Sequence, residues 1–507
     1  MAKPFAKTTE SCCSPRPRSS LRSSNSSGSA WNISDGGGVT NLSFLRPLGL
    51  IWIVFGGFML GASLLALAFS LPLGAIAYAS TALAPLLIGG LITLATGRSR
   101  GRTQISDVSA FVAIAWALSP AFAAPAFALL NPDFGPFDAL FEAYSALTTT
   151  GAILLQPAEA GREIVLWRCV MSFAGGYATL VLTAGLLAVL DRGAQQLRKT
   201  ILLTVDQENV FSHLHIVARR ILLIYGGLAV VFFVILMMAG TPAFDAACLS
   251  LSALSTGGYA PVGGPITAHY PAFVVPVLMA ACLIGAINIA LVWTAPRKRS
   301  WRPDPELVGF LALLAALWGV SMVSMEAANP FTTLAEAVFA ITTSGFTASA
   351  ASGFLPIAAL FVALVGGSAA STTGGIKISR FVLLWRQIFT DLGRMAHPSS
   401  VLNMRYRNKD ARSGGFTALW TTVLAFVATV TISTLIGSAL GDGFEQGWSA
   451  SMAAIANAGP LFDRAEGGQS WAVFNTPNQI LFIVVMVLGR LEVLAGAAAL
   501  LSLIKRD

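Results

Sequence analysis

Four short polar runs, each closed by a glycine, are the residues of this 507-residue chain whose spacing could do chemistry. They are Thr148-Thr149-Thr150-Gly151, Ser255-Thr256-Gly257-Gly258, Thr342-Thr343-Ser344-Gly345 and the weaker Ala456-Asn457-Ala458-Gly459. The closing glycines stand 107, 87 and 114 residues apart. Glycine reaches backbone angles that turn carbonyls inward. Rings of backbone carbonyls can replace the hydration shell of a monovalent cation. A single Ser/Thr-Gly turn reads as a helix terminator. Four of them, each ending a short apolar segment, point instead to one shared axis. The chemistry is then coordination of a passing ion, with the negative ends of four short helix dipoles aimed at it.

Two further groups lie within apolar stretches. Ser371-Thr372-Thr373-Gly374-Gly375 interrupts one of them, and Lys377 follows at once. Two glycines and three hydroxylated residues break helix propensity. Arg490 lies about 14 residues into the last apolar stretch, where an ionisable side chain is expensive and faces a cavity or a partner. Its neighbour Glu492 is two positions on, so the two do not share a helix face. Matching small pairs in the earlier stretches are Gly175-Gly176, Gly285-Ala286 and Gly366-Gly367, so Arg490 replaces a small residue at a pore-facing position. It is expected to project beneath the turns as an electrostatic barrier and to help hold the interrupting loop closed. Asp138, Glu142, Asp245, Glu336 and Glu445 fall in the short segments. They suit helix N-termini, and acids at an outer mouth would also raise the local cation concentration.

The elements that must position these groups are set by composition. Hydrophobic residues make up 55% and charged residues 11%, against about 25% charged in soluble domains. The chain is an integral membrane protein; soluble enzymes, nucleic-acid binders and disulfide-rich secreted modules are excluded. Ten apolar stretches follow one another, at 47–71, 75–96, 108–130, 164–190, 216–239, 271–294, 307–325, 353–390, 415–438 and 476–504. Shorter segments near 136–147, 243–254, 331–341 and 445–455 are too short to span and suit re-entrant helices. Residues 1–42 read as a disordered Ser-rich tail and not as a cleaved signal peptide.

The net charge of +8 is distributed with that threading. With a cytoplasmic N-terminus, the outer connectors hold Arg162 and Arg464 alone. Basic clusters fall inside, at Arg98/Arg100/Arg102, Arg192/Arg198/Lys199, Arg297/Lys298/Arg299/Arg302 and Arg405/Arg407/Lys409/Arg412. This is the positive-inside asymmetry, and it also places the C-terminus in the cytoplasm. Those loops suit anionic lipid headgroups or a regulatory partner. Cys12, Cys13, Cys169, Cys248 and Cys282 make no metal set and are read as reduced. No GxxxxGK[ST] loop and no HExxH cluster occurs, so neither ATP hydrolysis by that route nor zinc chemistry is expected.

The short segments repeat one another. Pro136-Phe137-Asp138-Ala139 and Ser145-Ala146-Leu147 match Phe244-Asp245-Ala246 and Ser252-Ala253-Leu254 in register. Pro330, Phe331 and Glu336 match Pro136, Phe137 and Glu142 without a gap. Each unit reads span, short helix, turn, span. The chain therefore divides into a tail (1–42), two extra transmembrane helices (43–100) and four pore units at 101–205, 206–300, 301–395 and 396–507.

With these turns, the run Gly366 to Lys377 and Gly489-Arg490-Leu491-Glu492, the sequence resembles the TrkH/KtrB family of bacterial potassium-translocating subunits over nearly all of residues 45–507. The resemblance implies an all-α polytopic fold, with four span–re-entrant helix–span units around one pore and two helices in front. It implies a K+ filter of Thr148 to Gly151, Ser255 to Gly258, Thr342 to Gly345 and Ala456 to Gly459. It implies K+ coordination at Thr149, Thr150, Thr256, Gly257, Thr343, Ser344, Asn457 and Ala458. It makes Ser371 to Gly375, with Lys377 and Arg490, an intramembrane gate. It implies uptake across the bacterial inner membrane, a homodimer and a cytoplasmic TrkA-like nucleotide-binding ring, with no enzyme activity, organic cofactor or nucleic acid. Related plant transporters that carry sodium have Ser at the first filter glycine; Gly151 favours potassium. The alternative is a Na+-permeable or ion-coupled cation transporter of the same superfamily.

Overall fold

The computed structural model describes residues 44–96, 105–183, 210–288, 304–324, 329–349, 355–397, 405–406, 409–410, 414–465 and 470–491. The tail, Cys12 and Cys13, Glu492 and the side chains of the four basic clusters lie outside the described residues.

Seven helices among the described residues are long and apolar enough to cross a membrane. They are Leu45–Ala68, Pro72–Ala95, Asp107–Leu130, Pro157–Leu182, Leu214–Met238, Pro305–Ser324 and Leu419–Ala439. Their outer faces carry unpartnered leucines; Leu94 is 86% exposed and Leu73 72%. Such faces belong in lipid, not water. The expected stretches at 271–294, 353–390 and 476–504 contribute the shorter helices Val274–Ala286, Pro356–Val365 and Thr476–Arg490. The stretch at 108–130 is not one straight helix. Helix Ile105–Leu118 passes through a 3-10 turn at Pro120–Ala123 before Ala124–Leu130, because prolines at 120 and 125 remove ladder donors.

The four expected short helices are Pro136–Leu147, Ala243–Ser255, Pro330–Ile341 and Phe444–Ala456. Their starts are fixed locally. Pro136 and Pro330 occupy first helical positions, where a missing N–H costs nothing. Asp138 accepts the Gly135 N–H at 3.0 Å, and Asn329 caps Phe331 N at 3.0 Å. Each then packs on the helix that follows the turn of the preceding unit. Pro157–Leu182 contacts Ala243–Ser255, Val274–Ala286 contacts Pro330–Ile341, Pro356–Val365 contacts Phe444–Ala456, and Thr476–Arg490 returns to Pro136–Leu147. The four units thus close a ring, with units 1 and 3 on one diagonal. Leu45–Ala68 and Pro72–Ala95 pack on each other and on Pro157–Leu182.

Within each unit the second helix approaches its own short helix at a glycine. A β-carbon on Gly175 would lie 1.8 Å from Leu147 O, and one on Gly489 2.2 Å from Ile455 O. Unit 3 departs from this pattern. Its second helix breaks over 366–377, a longer interruption than the five residues Ser371 to Gly375. Gly366, Ala370, Gly375 and Lys377 all take positive φ there, so the break is set by backbone conformation on both sides of the hydroxylated run. Helix Ile378–Ala396 follows. A two-residue hairpin pairing Arg405–Tyr406 with Lys409–Asp410 is a small departure from an all-helical chain.

Candidate functional site

The sixteen turn residues, from four distant stretches of sequence, meet where the short helices end. In each unit the second residue is left-handed: Thr149 (φ 56°), Thr256 (56°), Thr343 (59°) and Asn457 (50°). A β-branched residue there is strained, and such strain is stored where function needs it. All four are 0–1% exposed. Among the described residues, no hydrogen-bond donor reaches the carbonyl oxygens of Thr149, Thr256, Thr343 or Asn457. A buried carbonyl without a donor is uncommon and costly, and here four stand at the same register position of the four turns.

Neighbouring turns touch through backbone. A β-carbon on Gly151 would lie 2.3 Å from Gly257 O, and one on Gly258 2.0 Å from Ser344 O. Gly459 N donates to Thr150 O at 2.6 Å. Gly151, Gly258 and Gly345 have φ of 79°, 73° and 63°, whereas Gly459 is not left-handed. Side chains support the turns from behind. Thr148 and Thr150 hydroxyls pair at 2.7 Å, and Thr342 and Ser344 at 3.1 Å. Ser255 pairs with Ser172 at 2.8 Å. Asn457 Nδ2 donates to Thr150 Oγ1 at 3.0 Å and to Met486 O at 3.1 Å. The Asn457 amide nitrogen therefore braces unit 1 against unit 4.

Glu142 and Glu336 do not serve an outer mouth. Glu142 is fully buried, takes a two-pronged ion pair from Arg168 (2.8 and 2.6 Å) and accepts Leu154 N at 2.8 Å. Glu336 accepts Ala348 N at 2.8 Å and pairs with Arg464 of unit 4. Each carboxylate accepts the backbone N–H twelve residues on, so units 1 and 3 carry matching carboxylate struts on opposite sides of the ring. Units 2 and 4 use neutral supports at this level. Tyr259 bonds Ser145 at 3.0 Å, and Trp471 Nε1 donates to Gly459 O at 3.2 Å. Arg168 stands inside the apolar stretch 164–190, where a charge calls for a partner. Arg464, Tyr259 and Trp471 carry no local signal.

The interrupting loop lies against one end of the ring. Thr372 N and Oγ1 both reach Gly285 O at 3.0 Å, and its hydroxyl is 3.3 Å from Thr256 Oγ1. Gly374 N is 3.4 Å from Thr343 Oγ1, and a β-carbon on Gly374 would lie 1.9 Å from Ala456 O. Ser371 Oγ bonds Ser368 O at 2.6 Å and Thr373 Oγ1 at 2.8 Å. Lys377, 6% exposed, donates Nζ to Thr373 O within the loop. Units 2, 3 and 4 are thereby covered. Arg490 covers unit 1: its Nη2 donates to Thr149 Oγ1, and its guanidinium carbon is 5.9 Å from the Trp116 ring centre. Its Nε and Nη1 have no partner among the described residues. The guanidinium thus bonds a turn threonine directly.

At the opposite end, short helix Pro460–Ala465 starts immediately after Gly459. Its Asp463 Oδ1 has no partner among the described residues, and burial pushes that carboxyl well above the ordinary carboxylate range. Cys169, Cys248 and Cys282 are free and buried. Among the described residues no three His, Cys, Asp or Glu side chains group as a metal site.

A ring of span–short helix–span units around buried carbonyls defines a membrane cation-conducting protein. The family model for TrkH, a cation transport protein, matches residues 124–307 and 307–504, and the chain belongs to that family. It is 28% identical over 466 residues to the Trk system potassium uptake protein TrkH of Salmonella typhimurium, covering 88% of this chain and 96% of that protein. TrkI of Halomonas elongata, also a Trk system potassium uptake protein, is 27% identical over 89% of this chain and 94% of its own length. The crystal structure of the potassium transporter TrkH from Vibrio parahaemolyticus matches with a TM-score of 0.80 at 26% identity, covering 92% of this chain and 98% of that one. The family is one of transporters, not enzymes.

Proposed function

We propose that this chain takes up K+ across the bacterial inner membrane through the ring of turns. The observation that carries the reading is the set of four buried carbonyls at Thr149, Thr256, Thr343 and Asn457 that no donor among the described residues satisfies. A dehydrated K+ supplies the missing partner, with Thr150, Gly257, Ser344 and Ala458 lining the adjacent level. Uptake is driven by membrane potential, worth about 2.3 kcal/mol per charge per 100 mV. The names of the relatives support potassium as the cargo, and glycine at Gly151 leaves no side chain to intrude.

The loop Ser371 to Gly375, with Lys377 and Arg490, forms the gate. Together they meet all four units at one end of the ring. The gate faces the cytoplasm, where both termini and the basic loops lie. A homodimer assembles on a TrkA-like nucleotide-binding ring that moves the loop, with anionic lipid around the basic loops. No organic cofactor is needed in this chain, because every coordinating group is its own backbone.

The test is growth of a potassium-uptake-deficient bacterium on limiting K+. Wild type with its regulatory partner restores growth. Gly258→Ser, whose β-carbon would fall 2.0 Å from Ser344 O, fails or loses discrimination against Na+. Equal behaviour of the two, at equal membrane abundance, sinks the filter reading.

A further inference from the structure

The fourth unit departs from the other three just past its closing glycine. Gly151, Gly258 and Gly345 are left-handed and lead into non-helical chain, whereas Gly459 is not and a helix begins at once with Pro460. The Pro460 ring then meets the closing glycines of all three other units. A β-carbon on Gly151 would lie 2.9 Å from Pro460 Cδ. One on Gly258 would lie 2.9 Å from its Cγ, and one on Gly345 2.9 Å from its Cβ. A single ring that close to three points on three units around one axis must itself lie at the axis. It sits at the glycine end, opposite the loop and Arg490, and is partly exposed while Gly459 beneath it is buried.

We infer that Pro460 is the outer constriction of the ion path, an apolar cap that sets the size of cation admitted to the turns. The inference rests on the proposed pore. Proline suits the position because its ring is locked and has no N–H to offer. Apolar constrictions control permeation by excluding water, so an ion passing Pro460 gives up hydration before it meets the carbonyls. The ring is held rather than loose. Leu461 and Phe462, directly behind it, are fully buried. Gly459 is fixed by Thr150 O on one side and Trp471 on the other, and Arg464 on the same short helix is pinned by Glu336. Displacement of the cap therefore works against the unit 3–unit 4 ion pair.

The experiment is Pro460→Cys in the full chain with its regulatory partner, treated from outside with a membrane-impermeant cationic methanethiosulfonate. Rubidium uptake is the readout, and wild type is the control, its described cysteines being buried. Modification is expected to cut uptake at least about tenfold, because the adduct occupies the constriction. A thiol that is modified without loss of uptake, or that is never modified, overturns the inference. Pro460→Gly gives an independent reading: at equal membrane abundance its Cs+ to K+ uptake ratio rises several-fold, and an unchanged ratio overturns the size limit. If wild type itself carries no rubidium, the pore reading falls and this one with it. If wild type transports and both variants behave like it, this inference alone falls.

Discussion

Asn457 Nδ2 lies 3.0 Å from Thr150 Oγ1, a hydrogen bond that spans 307 positions of sequence and joins the last unit to the first. The same nitrogen reaches Met486 O. The fourth turn has no hydroxyl of its own, and this amide replaces the hydroxyl pairs that brace units 1 and 3. Asparagine also tolerates the left-handed backbone. The two contributions separate by mutation. Asn457→Gly keeps the backbone and loses the hydrogen bonds, a cost of about 1–3 kcal/mol for a buried group left unpaired. Asn457→Ala adds roughly 1–2 kcal/mol of left-handed strain. Thermal melts in detergent should rank wild type above Asn457→Gly above Asn457→Ala, with Rb+/Na+ discrimination falling in the same order. Equal melts for the two variants contradict the strain assignment.

The Glu142–Arg168 pair makes a second prediction. Both side chains are buried, and each also holds backbone: Leu154 N on the carboxylate, Leu155 O on the guanidinium. Glu142→Gln leaves a buried arginine without its counter-charge, which costs about 3–5 kcal/mol. Arg168→Met leaves the carboxylate in the same position. The double variant should recover part of the loss, because neither charge is then stranded. A double-mutant cycle on thermal stability measures this coupling, and strict additivity would show that the pair does not act as a strut.

Much of this architecture is legible in the sequence. The four short helices announce themselves by proline or glycine starts, lengths too short to span and a terminating glycine. Features resting on long-range partners are not legible. Arg464 and Glu336 are 128 positions apart, and no local pattern pairs them; acids in short segments read equally well as dipole caps or mouth charges. The break in unit 3 is longer than its hydroxylated core because Gly366 and Lys377 take positive φ, which propensity does not foresee for lysine. Pro460 reads in sequence as one more helix starter. Its place over three other units depends on ring closure, which no single repeat encodes.

Asp463 predicts a pH dependence. Burial raises its folded-state pKa above the unfolded value of about 3.9. A carboxyl raised in this way favours the folded state below the unfolded pKa and loses that contribution as pH rises through the folded value. Melting temperature should therefore fall as pH climbs from about 4 toward neutrality. Asp463→Asn, which cannot ionise, should lack that component and melt higher than wild type at pH 7. Parallel pH profiles for the two proteins would remove Asp463 as the source.

The floor of the ring yields the last prediction. Gly374 lies so close to Ala456 O that a methyl group, 1.9 Å away, cannot be accommodated. Gly374→Ala therefore pushes the loop off units 3 and 4. Arg490 meets unit 1 through Thr149, so Arg490→Gln removes the positive charge there without moving the loop. Each variant should raise basal rubidium flux in liposomes lacking any regulatory partner by about tenfold, or roughly 1.4 kcal/mol of closed-state preference. Because the two contacts fall on different units with no shared partner, their effects should multiply in the double variant. A double variant no faster than either single one would mean that loop and arginine form one unit, and that the barrier has a single point of release.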